Sequence, residues 1–582
     1  MQTYIPPVDD YRFLLTEVLR FEEEMRALGK DVDVELALVV LKEAGRMCAD
    51  RLAPLNRSGD EHGCQLRDGT VHTPPGFAEA WRDFASAGWT ALSADPAHGG
   101  QGLPFILQLW LDEMLSAANL SFGLFPGLTR GACEALAAHG STMLKDLYLP
   151  RMVSGEWTGA MALTESGAGS DLALLKTRAV PNGDGSFAIS GTKIFISSGD
   201  HDFGGNIVHL VLARLPDAPP GVKGISLFLV PKYLPTAEGE PGDRNAMSVG
   251  ALEKKMGIHA QPTCVMNYDG ARGWLVGEAN RGLAAMFTMM NAERLMVGIQ
   301  GLGIAGAAYQ QAAAYAKDRI QGRSADGARA AVAIIEHADV RRMLLMARSF
   351  VEAGRALAGW AALQLDRAHH HPLPEERARA DGVVALLTPV IKAVFTDFGF
   401  ESAVQAQQVF GGHGYIREWG MEQYVRDARI AQIYEGTNGI QAMDLVSRKV
   451  PLGGGATVSA LFAVIAGELD AAGDIAPSAT IVAATRDALD RLRAATATLQ
   501  GASVAVLGSA AVAYQRMFGL VLMGWMWARM ANASAQGDTA LKRSKLQVAE
   551  FFAEHVLSQV DGLAKSVAAR DHSIMMLPTE EF

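Results

Sequence analysis

The residues best placed to do chemistry lie in the stretch IAQIYEGTNGIQAMDL, residues 430–445. One carboxylate, Glu435, follows a run of helix-forming residues, and Gly436 directly after it predicts a helix break. Asn438 and Gln441 have the spacing of a helix N-cap and its capping-box partner, which predicts a second helix after the break. A carboxylate at a helix C-terminus opposes the helix dipole, so local helix energetics disfavour Glu435 here. The conflict hints that this carboxylate has a function.

Two glycine-rich stretches can bring the backbone close to a ligand. Residues 162–172, ALTESGAGSDL, have small side chains that let backbone N–H groups approach a planar or anionic ligand. Residues 408–415, QVFGGHGY, place glycines between helical segments, which permits a close approach to a cofactor. Each stretch also fits a simpler interpretation, as an ordinary loop and as a helix terminus.

Two further motifs favour structural interpretations. Residues 301–306 match G-x-G-x-x-G, but the preceding residues have a helical pattern, whereas a dinucleotide fingerprint follows a strand. Close packing between helices is therefore the preferred explanation of these glycines. His369–His371 come before Pro372 without a second group of ligands, which favours a solvated loop over a metal site. No bound metal is expected.

Composition indicates a soluble globular protein that does not bind nucleic acid. Hydrophobic residues make up 49% and charged residues 20% of the 582 residues, and the net charge is −11, so a broad phosphate-binding face is not expected. The four cysteines lie far apart and lack metal-binding spacing, which predicts a reduced, cytoplasmic protein. The N-terminus is too acidic for a secretory signal and too poor in arginine for a transit peptide.

One apolar segment, residues 507–527, is about long enough to cross a membrane. Gln515 and Arg516 fall in its middle, and glycines interrupt it. The sequence therefore favours a buried or dimer-facing helix, with no integral membrane segment.

The order of secondary-structure patterns predicts a mainly α protein with a middle β domain. Residues 1–158 are helical in pattern, and residues 159–280 contain short β-type runs with turns, as in RAVPNGDGSFAISGTKIFISSG. Helical patterns return over residues 281–450 and, after the linker PLGGG, over residues 456–582. Separate runs of strands and helices argue against a parallel βαβ fold, so the middle domain is expected to be a small antiparallel one.

Several motifs in this order resemble those of the acyl-CoA dehydrogenase family over about residues 35–450. They are LTESGAGSD, GTKIFISSG, KMGIHAQPTC, NAERL, QVFGGHGYIRE and RDARIAQIYEGTNGIQ. The resemblance implies an N-terminal α domain, a small β-barrel or sandwich and a C-terminal four-helix bundle. The N-terminal start and the additional C-terminal helical domain resemble one branch of the family.

The resemblance also implies the reaction. An acyl-CoA thioester would be desaturated between Cα and Cβ, with FAD as cofactor and electron-transfer flavoprotein as electron acceptor. The branch implies 3-methylmercaptopropionyl-CoA or a short- to medium-chain straight acyl-CoA as substrate. Glu435 would be the base, and its backbone N–H would bind the thioester oxygen together with a ribityl hydroxyl of FAD. Glu293 occupies the position of the base in other branches, but the EGTNGIQ context favours Glu435.

Site residues follow from the same resemblance, position by position. The residues implied to bind FAD are Leu163, Thr164, Gly169, Ser170, Phe195, Ile196, Ser197, Thr437, Asn438 and Gly439. Those implied to reach the FAD of a neighbouring subunit are Arg319, Gln321, Gln408, Gly411 and Gly412. Ser170, Asn291, Arg294 and Gly436 would bind the substrate, Ser170 and Arg294 through its CoA moiety. Shared sites imply a homodimer or a higher oligomer.

Gly322 departs from the family pattern, because a phenylalanine is usual there, so the contact to the FAD adenine is left open. Two alternative functions also remain open. One is an acyl-CoA oxidase that uses O₂, and the other is a non-catalytic flavin-binding or assembly protein.

Overall fold

The computed structural model describes residues 4–323, 331–473, 477–569 and 572–582. The chain forms two compact units. The helical unit consists of Met1–Gly45, Pro104–Ala117 and Val297–Phe582, and the mixed unit of Arg46–Leu103 and Ala118–Met296. The predicted mainly α fold with a middle β domain is confirmed.

The elements are numbered in chain order. The helices are α1 (Val8–Phe13), α2 (Phe21–Ala27), α3 (Val34–Met47), α4 (Ala53–His62), α5 (Phe77–Ser86), α6 (Phe105–His139), α7 (Thr142–Val153), α8 (Gly282–Asp318), α9 (Ala338–His370), α10 (Pro374–Val409), α11 (Met421–Arg429), α12 (Asn438–Asp444), α13 (Ala456–Ala472), α14 (Ala479–Leu499), α15 (Val504–Ser534), α16 (Ala540–Phe551), α17 (Gln559–Ala568) and α18 (His572–Met575). The strands are β1 (Gln65–Arg67), β2 (Thr70–His72), β3 (Trp157–Ala162), β4 (Arg178–Pro181), β5 (Phe187–Ser197), β6 (Asn206–Arg214), β7 (Ile225–Pro231), β8 (Tyr233–Pro235), β9 (Pro241–Arg244), β10 (Met247–Leu252), β11 (Thr263–Val276), β12 (Ile320–Arg323) and β13 (Ala331–Ala333).

The mixed unit is built on a sheet in the order β10-β11-β5-β4-β6-β3, with β7 paired to both β11 and β6. The predicted strand–turn–strand is present as β4 and β5, and the turn is closed by Ser186 N donating to Asp184 Oδ1 at 3.0 Å. The predicted antiparallel pairing holds for most neighbours in this sheet, but β3 and β4 each pair with β6 in parallel. The chain reaches β6 from β3 through a long connection that contains β4 and β5, which permits parallel pairing.

Helix α6 is interrupted at Asn119, whose backbone lies outside the helical region at φ −163° and ψ 92°. The Asn119 side chain replaces the lost helix contacts. Its Oδ1 accepts a hydrogen bond from Phe122 N at 3.1 Å, and its Nδ2 donates to Leu52 O at 3.3 Å. Asparagine supports such a break because its short amide caps the helix that follows.

The G-x-G-x-x-G segment lies inside α8, as expected for helix packing. A Cβ at Gly301 would lie 2.4 Å from Phe395 O, and one at Gly303 would lie 2.5 Å from Glu113 O. Both positions therefore require glycine because neighbouring backbones approach closely.

Three helices of the described chain are long and apolar enough to cross a membrane, judged by length and composition: Pro374–Val409, Leu452–Ala472 and Val504–Ser534. In α15 the two polar residues noted in the sequence have partners inside the helical unit. Gln515 Nε2 donates to Pro389 O at 2.9 Å, and Arg516 Nη1 lies 2.7 Å from Glu401 Oε1. Trp527 Nε1 donates to Ser349 O at 3.0 Å. The middle of α15 is accordingly a buried helix.

A buried ionic network joins distant parts of the helical unit. Arg355 on α9 donates to Glu113 Oε1 at 2.6 Å through Nη2 and also pairs with Asp10 on α1. Lys545 on α16 pairs with Asp10 and lies 2.8 Å from Glu352 Oε2. Burial alone would raise the pKa of Asp10, but Lys545 and Arg355 hold that pKa at about 2. The first helix and the C-terminal helices are therefore joined through buried charges.

Lys545→Met is expected to destabilise the protein by about 3 kcal/mol, because removing one member of a buried ion pair leaves its partners incompletely compensated. The measurement is chemical denaturation. Because the pKa of Asp10 is about 2, below its unfolded value of about 3.9, its stabilising contribution is present above about pH 4 and is lost as the pH falls through 2. The difference between the wild-type protein and the variant should therefore shrink over that range.

Arg543→Met is the control on the same helix. Arg543 pairs with Asp538, and the two side chains are 58% and 83% exposed, so its loss should change the stability by less than about 1 kcal/mol. Equal losses for the two variants would contradict a special role of the buried network.

Candidate active site

Glu435 lies in a short turn between two helices of the helical unit. Helix α11 ends at Arg429, a single helical turn follows over Ile430–Gln432, and α12 begins at Asn438. The backbone of Glu435 is left-handed, with φ +56°, and Gly436 follows with φ +86°. A residue with a Cβ adopts this conformation at a cost of about 1–2 kcal/mol, and such strain is concentrated at functional sites.

The cap of α12 differs from the prediction, because the N-cap is Thr437 and not Asn438. Ile440 N donates to Thr437 Oγ1 at 3.3 Å, so the hydroxyl one residue earlier takes the capping role. Gln441 Nε2 instead points back to the turn and donates to Glu435 O at 3.2 Å and to Gly436 O at 3.3 Å. The turn is thus held from its C-terminal side by the helix that it precedes.

The Asn438 side chain is directed at α10, where a buried polar cluster receives it. Lys392, fully buried, donates from Nζ to Gly436 O and to Asn438 Oδ1, both at 2.8 Å. Asn438 Nδ2 donates to Asp397 Oδ1 at 2.7 Å, and Gln432 Nε2 donates to the same oxygen at 2.6 Å. Burial raises the pKa of Asp397, although the bonds from Gln432 and Asn438 oppose that rise.

Neither Lys392 nor Asp397 was singled out in the sequence. The available signal was the single lysine in the apolar run ALLTPVIKAVF, since a charge is seldom fully buried without a partner.

Five of the predicted residues, Glu435 to Gly439, lie together in this turn and at the start of α12. At Gly439 an added Cβ would meet no atom within 4 Å, so this side of the turn is open.

The five residues expected to reach a neighbouring subunit, Arg319, Gln321, Gln408, Gly411 and Gly412, form a second exposed group on the helical unit. The ends of α8 and α10 are adjacent, because the rings of Tyr315 and Phe410 stack with centroids 4.1 Å apart. Added Cβ atoms at Gly411 and Gly412 would meet nothing within 4 Å. Gly322 has φ +78°, and an added Cβ would lie 3.0 Å from His337 Nε2, so its conformation and its surroundings both favour glycine.

In the mixed unit, the predicted loop after β3 is fixed by a buried ion pair. Lys193 Nζ donates to Leu163 O and to Glu165 Oε1, both at 2.9 Å, and Ile194 N donates to Thr164 O at 2.9 Å. Burial lowers the pKa of Lys193 to about 8, although Glu165 opposes this shift. Burial would raise the pKa of Glu165, but Lys193 and the Thr177 hydroxyl hold it below its usual value.

Glu165 and Lys193 are also residues that were not predicted, although both lie in motifs quoted from the sequence. Their pairing leaves Gly169 and Ser170 exposed on the far side of the loop, and an added Cβ at Gly169 would meet nothing within 4 Å. Buried hydrogen bonds therefore hold the base of the loop, whereas its tip is exposed.

The end of β5 presents a strained and exposed aromatic side chain. Phe195 has φ +60° and is 59% exposed, whereas Ile196 is buried in the core of the mixed unit and has only its backbone left to face a ligand. Ser197 ends the strand, and Ser198 has φ +54° with its N–H donating to Pro262 O at 3.0 Å. An exposed phenylalanine on a strained backbone is typical of a residue that covers a ligand.

The first half of α8 carries the predicted substrate residues and the second carboxylate. Arg294 Nη1 donates to Asn291 Oδ1 at 3.3 Å, and its guanidinium lies 5.7 Å from the ring centre of Phe287. Glu293 is only 3% exposed. A Cβ added at Gly131 on α6 would lie 2.7 Å from Glu293 Oε1, so the absence of a side chain there makes room for the carboxylate.

Comparison with known families covers most of the chain. Residues 38–156 match the profile of the acyl-CoA dehydrogenase N-terminal domain, residues 160–271 that of the middle domain and residues 280–450 that of the C-terminal domain. Residues 459–578 match a profile described as acetyl-CoA dehydrogenase C-terminal like.

Individual proteins are similar over nearly the full length. The chain is 44% identical to 3-methylmercaptopropionyl-CoA dehydrogenase of Ruegeria pomeroyi, covering 95% of this chain and 96% of that protein. It is 33% identical to the broad-specificity linear acyl-CoA dehydrogenase FadE5 of Mycobacterium tuberculosis, with both chains fully covered. The fold is similar to that of an acyl-CoA dehydrogenase from Bacillus anthracis complexed with FAD, with a TM-score of 0.76, 21% identity and coverage of 92% and 88% of the two chains.

The strain at Glu435 can be tested through stability. Glu435→Gly is expected to be about 1 kcal/mol more stable than Glu435→Ala, because glycine adopts a left-handed backbone without a Cβ clash. The same pair of substitutions at Glu422, which lies in α11, should give the opposite order, since glycine destabilises a helix by about 1 kcal/mol relative to alanine. Thermal unfolding measures both pairs, and the same order at the two positions would show that the turn does not impose the conformation.

Proposed function

Because the chain belongs to the acyl-CoA dehydrogenase family, we propose that it desaturates an acyl-CoA thioester between Cα and Cβ with Glu435 as the catalytic base. The observation that carries this assignment is the left-handed backbone of Glu435, a half-buried carboxylate in the gap between α11 and α12. The whole turn lies inside the matched C-terminal domain profile.

The residues present fit FAD as the cofactor. The exposed Phe195 suits a planar ring, and Thr164, Ser170 and Ser197 supply hydroxyl groups for its polar edge. The open glycines Gly169, Gly411, Gly412 and Gly439 leave backbone groups accessible. Bound FAD supplies the acceptor for the hydride that leaves Cβ. We assign to it the residues predicted from the sequence, and we assign Arg319, Gln321, Gln408, Gly411 and Gly412 to the FAD of a second subunit.

The task of Glu435 is to remove the α-proton. An α-C–H is a very weak acid, so the base must be held in place, and a positioned carboxylate contributes about 10²–10⁴-fold. Fixed backbone is the appropriate support because small displacements of a catalytic group are costly in rate. Hydrogen bonds from Gln441 and Lys392 to the carbonyl groups on the C-terminal side of Glu435 provide that support.

Glu293 is assigned a structural role. The Glu293 carboxylate is buried beside Gly131 on α6, whereas Glu435 is half-buried in a turn. A base must reach the substrate's α-carbon, and the more accessible carboxylate is better placed to do so. Arg294 and Asn291 are assigned to the CoA moiety, since an arginine side chain recognises phosphate groups well.

For the substrate we propose 3-methylmercaptopropionyl-CoA or a short straight-chain acyl-CoA. The similarity to the Ruegeria pomeroyi enzyme along nearly all of both chains supports the thioether substrate, and the Mycobacterium tuberculosis relative supports a linear chain. Electron-transfer flavoprotein is the proposed acceptor. A homodimer in the cytoplasm completes the proposal, supported by the exposed Tyr415 and Ile320 on the helical unit and by four cysteines that are not joined in disulfides.

Glu435→Gln is expected to bind FAD and acyl-CoA normally but to lower the rate of flavin reduction at least about 10²-fold, because the amide cannot accept the proton. The measurement is bleaching of the flavin absorbance after anaerobic stopped-flow mixing with acyl-CoA. Glu293→Gln is the matched control and should keep a rate within about threefold of wild type. The opposite pattern would assign the base to Glu293.

The substrate proposal is tested by anaerobic titration with a panel of acyl-CoAs that includes 3-methylmercaptopropionyl-CoA, butyryl-CoA and octanoyl-CoA. We expect bleaching at the lowest concentration with the thioether or the four-carbon substrate. The same reduced enzyme is then mixed with air-saturated buffer, where slow reoxidation is expected. Rapid peroxide formation would instead indicate an oxidase, and no bleaching with any acyl-CoA would support a non-catalytic protein.

A further inference from the structure

Lys392 is a fully buried lysine in the middle of α10, surrounded along the helix by buried apolar residues such as Ile391 and Val394. Moving an ammonium group out of water costs several kcal/mol, so a buried lysine needs strong partners. The partners of this lysine therefore indicate what it does.

Two of these partners belong to the segment that follows Glu435. The Lys392 ammonium donates to the Gly436 carbonyl and to Asn438 Oδ1, both at 2.8 Å. Asn438 also bonds to a carboxylate, since its Nδ2 donates to Asp397 Oδ1 at 2.7 Å. The amide thus connects the ammonium to a carboxylate, while the Gly436 carbonyl receives a charge-assisted hydrogen bond directly.

These hydrogen bonds can impose the strained backbone conformation of Glu435. Its φ of +56° is unfavourable for a glutamate, so groups outside the residue must impose it. The two carbonyls on the C-terminal side of its Cα are those of Glu435 and Gly436, and Gln441 reaches both only at 3.2 and 3.3 Å. Lys392 makes the shortest of these bonds, and hydrogen bonds to a charged group contribute about 1.5–3 kcal/mol.

We propose that Lys392 is a positioning residue for Glu435: it fixes the Gly436 carbonyl and thereby holds the glutamate in the left-handed conformation that presents its carboxylate. The inference rests on the proposed function, in which Glu435 is the base. Lys392 transfers no proton in this role, because it acts through the backbone of the turn.

The test compares Lys392→Met with Lys545→Met in the FAD-loaded full-length protein. Both lysines are fully buried in the helical unit, but the partners of Lys545 are Asp10 and Glu352. We expect Lys392→Met to lower kcat about 10²-fold, the cost of a small misplacement of a catalytic group, with KM and FAD content within about twofold of wild type. Lys545→Met should lose stability and keep its kcat per bound FAD.

A second readout does not depend on turnover. Hydrogen–deuterium exchange of peptides that cover residues 430–441 should become faster in Lys392→Met and stay unchanged in Lys545→Met. Unchanged exchange in the folded Lys392 variant, or a fall in kcat only in proportion to lost FAD, would overturn the proposal. If Lys392→Met does not fold, Lys392→Gln, which removes the ammonium group but keeps a polar side chain, decides by the same criteria.

Failure of the proposed function gives a different pattern. If wild-type protein is not bleached by any acyl-CoA, the assigned reaction is wrong, while the exchange measurement still decides whether Lys392 holds the turn. A different result is that acyl-CoA bleaches the flavin of the wild type but not that of Glu435→Gln, while Lys392→Met reacts as the wild type does. This result would support the proposed reaction and contradict the positioning role of Lys392.

Discussion

A glutamate with a left-handed backbone is less stable than a glycine by about 1–2 kcal/mol, so the conformation of Glu435 has to be imposed from outside. The imposing groups lie on two different helices. Gln441 reaches back from α12, and Lys392 reaches across from α10. The conformation of Glu435 thus depends on how α10 and α12 pack against each other.

The mixed unit also contains strained backbone near buried hydrogen-bond partners. Phe195 and Ser198 have positive φ values at the end of β5, where strand pairing alone would not place them. The Lys193–Glu165 pair fixes the neighbouring loop, and the Ser198 N–H bonds to Pro262 O. In each unit one residue expected to meet a ligand has a positive φ, Glu435 in the helical unit and Phe195 in the mixed unit. A buried lysine donates to a backbone carbonyl of each candidate site, Lys392 to Gly436 O and Lys193 to Leu163 O. Buried pairs suit this purpose because their geometry is specific, even where their net contribution to stability is small.

Local sequence signals predicted much of this arrangement. The break at Gly436, the strand–turn–strand of β4 and β5 and the glycine packing within α8 all depend on neighbouring residues or on steric limits that a short window contains. The partners of Lys392 were not predictable in this way, because Gly436 and Asn438 lie more than 40 residues away in the chain. The parallel pairing of β3 was missed for the same reason. The N-cap of α12 was predicted one residue too late for a related reason. Thr437 and Asn438 are both good capping residues, and only the tertiary contact of Asn438 with α10 decides between them.

The extra C-terminal helices also bear on the candidate site, through α10. Gln515 on α15 bonds to Pro389 O, three residues before Lys392, and a Cβ added at Gly519 would lie 2.7 Å from Val394 Cγ1, two residues after it. Helix α15 therefore covers the stretch of α10 that contains the buried lysine. An ammonium that reached water would bond to water as readily as to the Gly436 carbonyl, and its hold on the turn would weaken. By covering this stretch, α15 helps to keep water away from the buried charge on which the position of Glu435 depends.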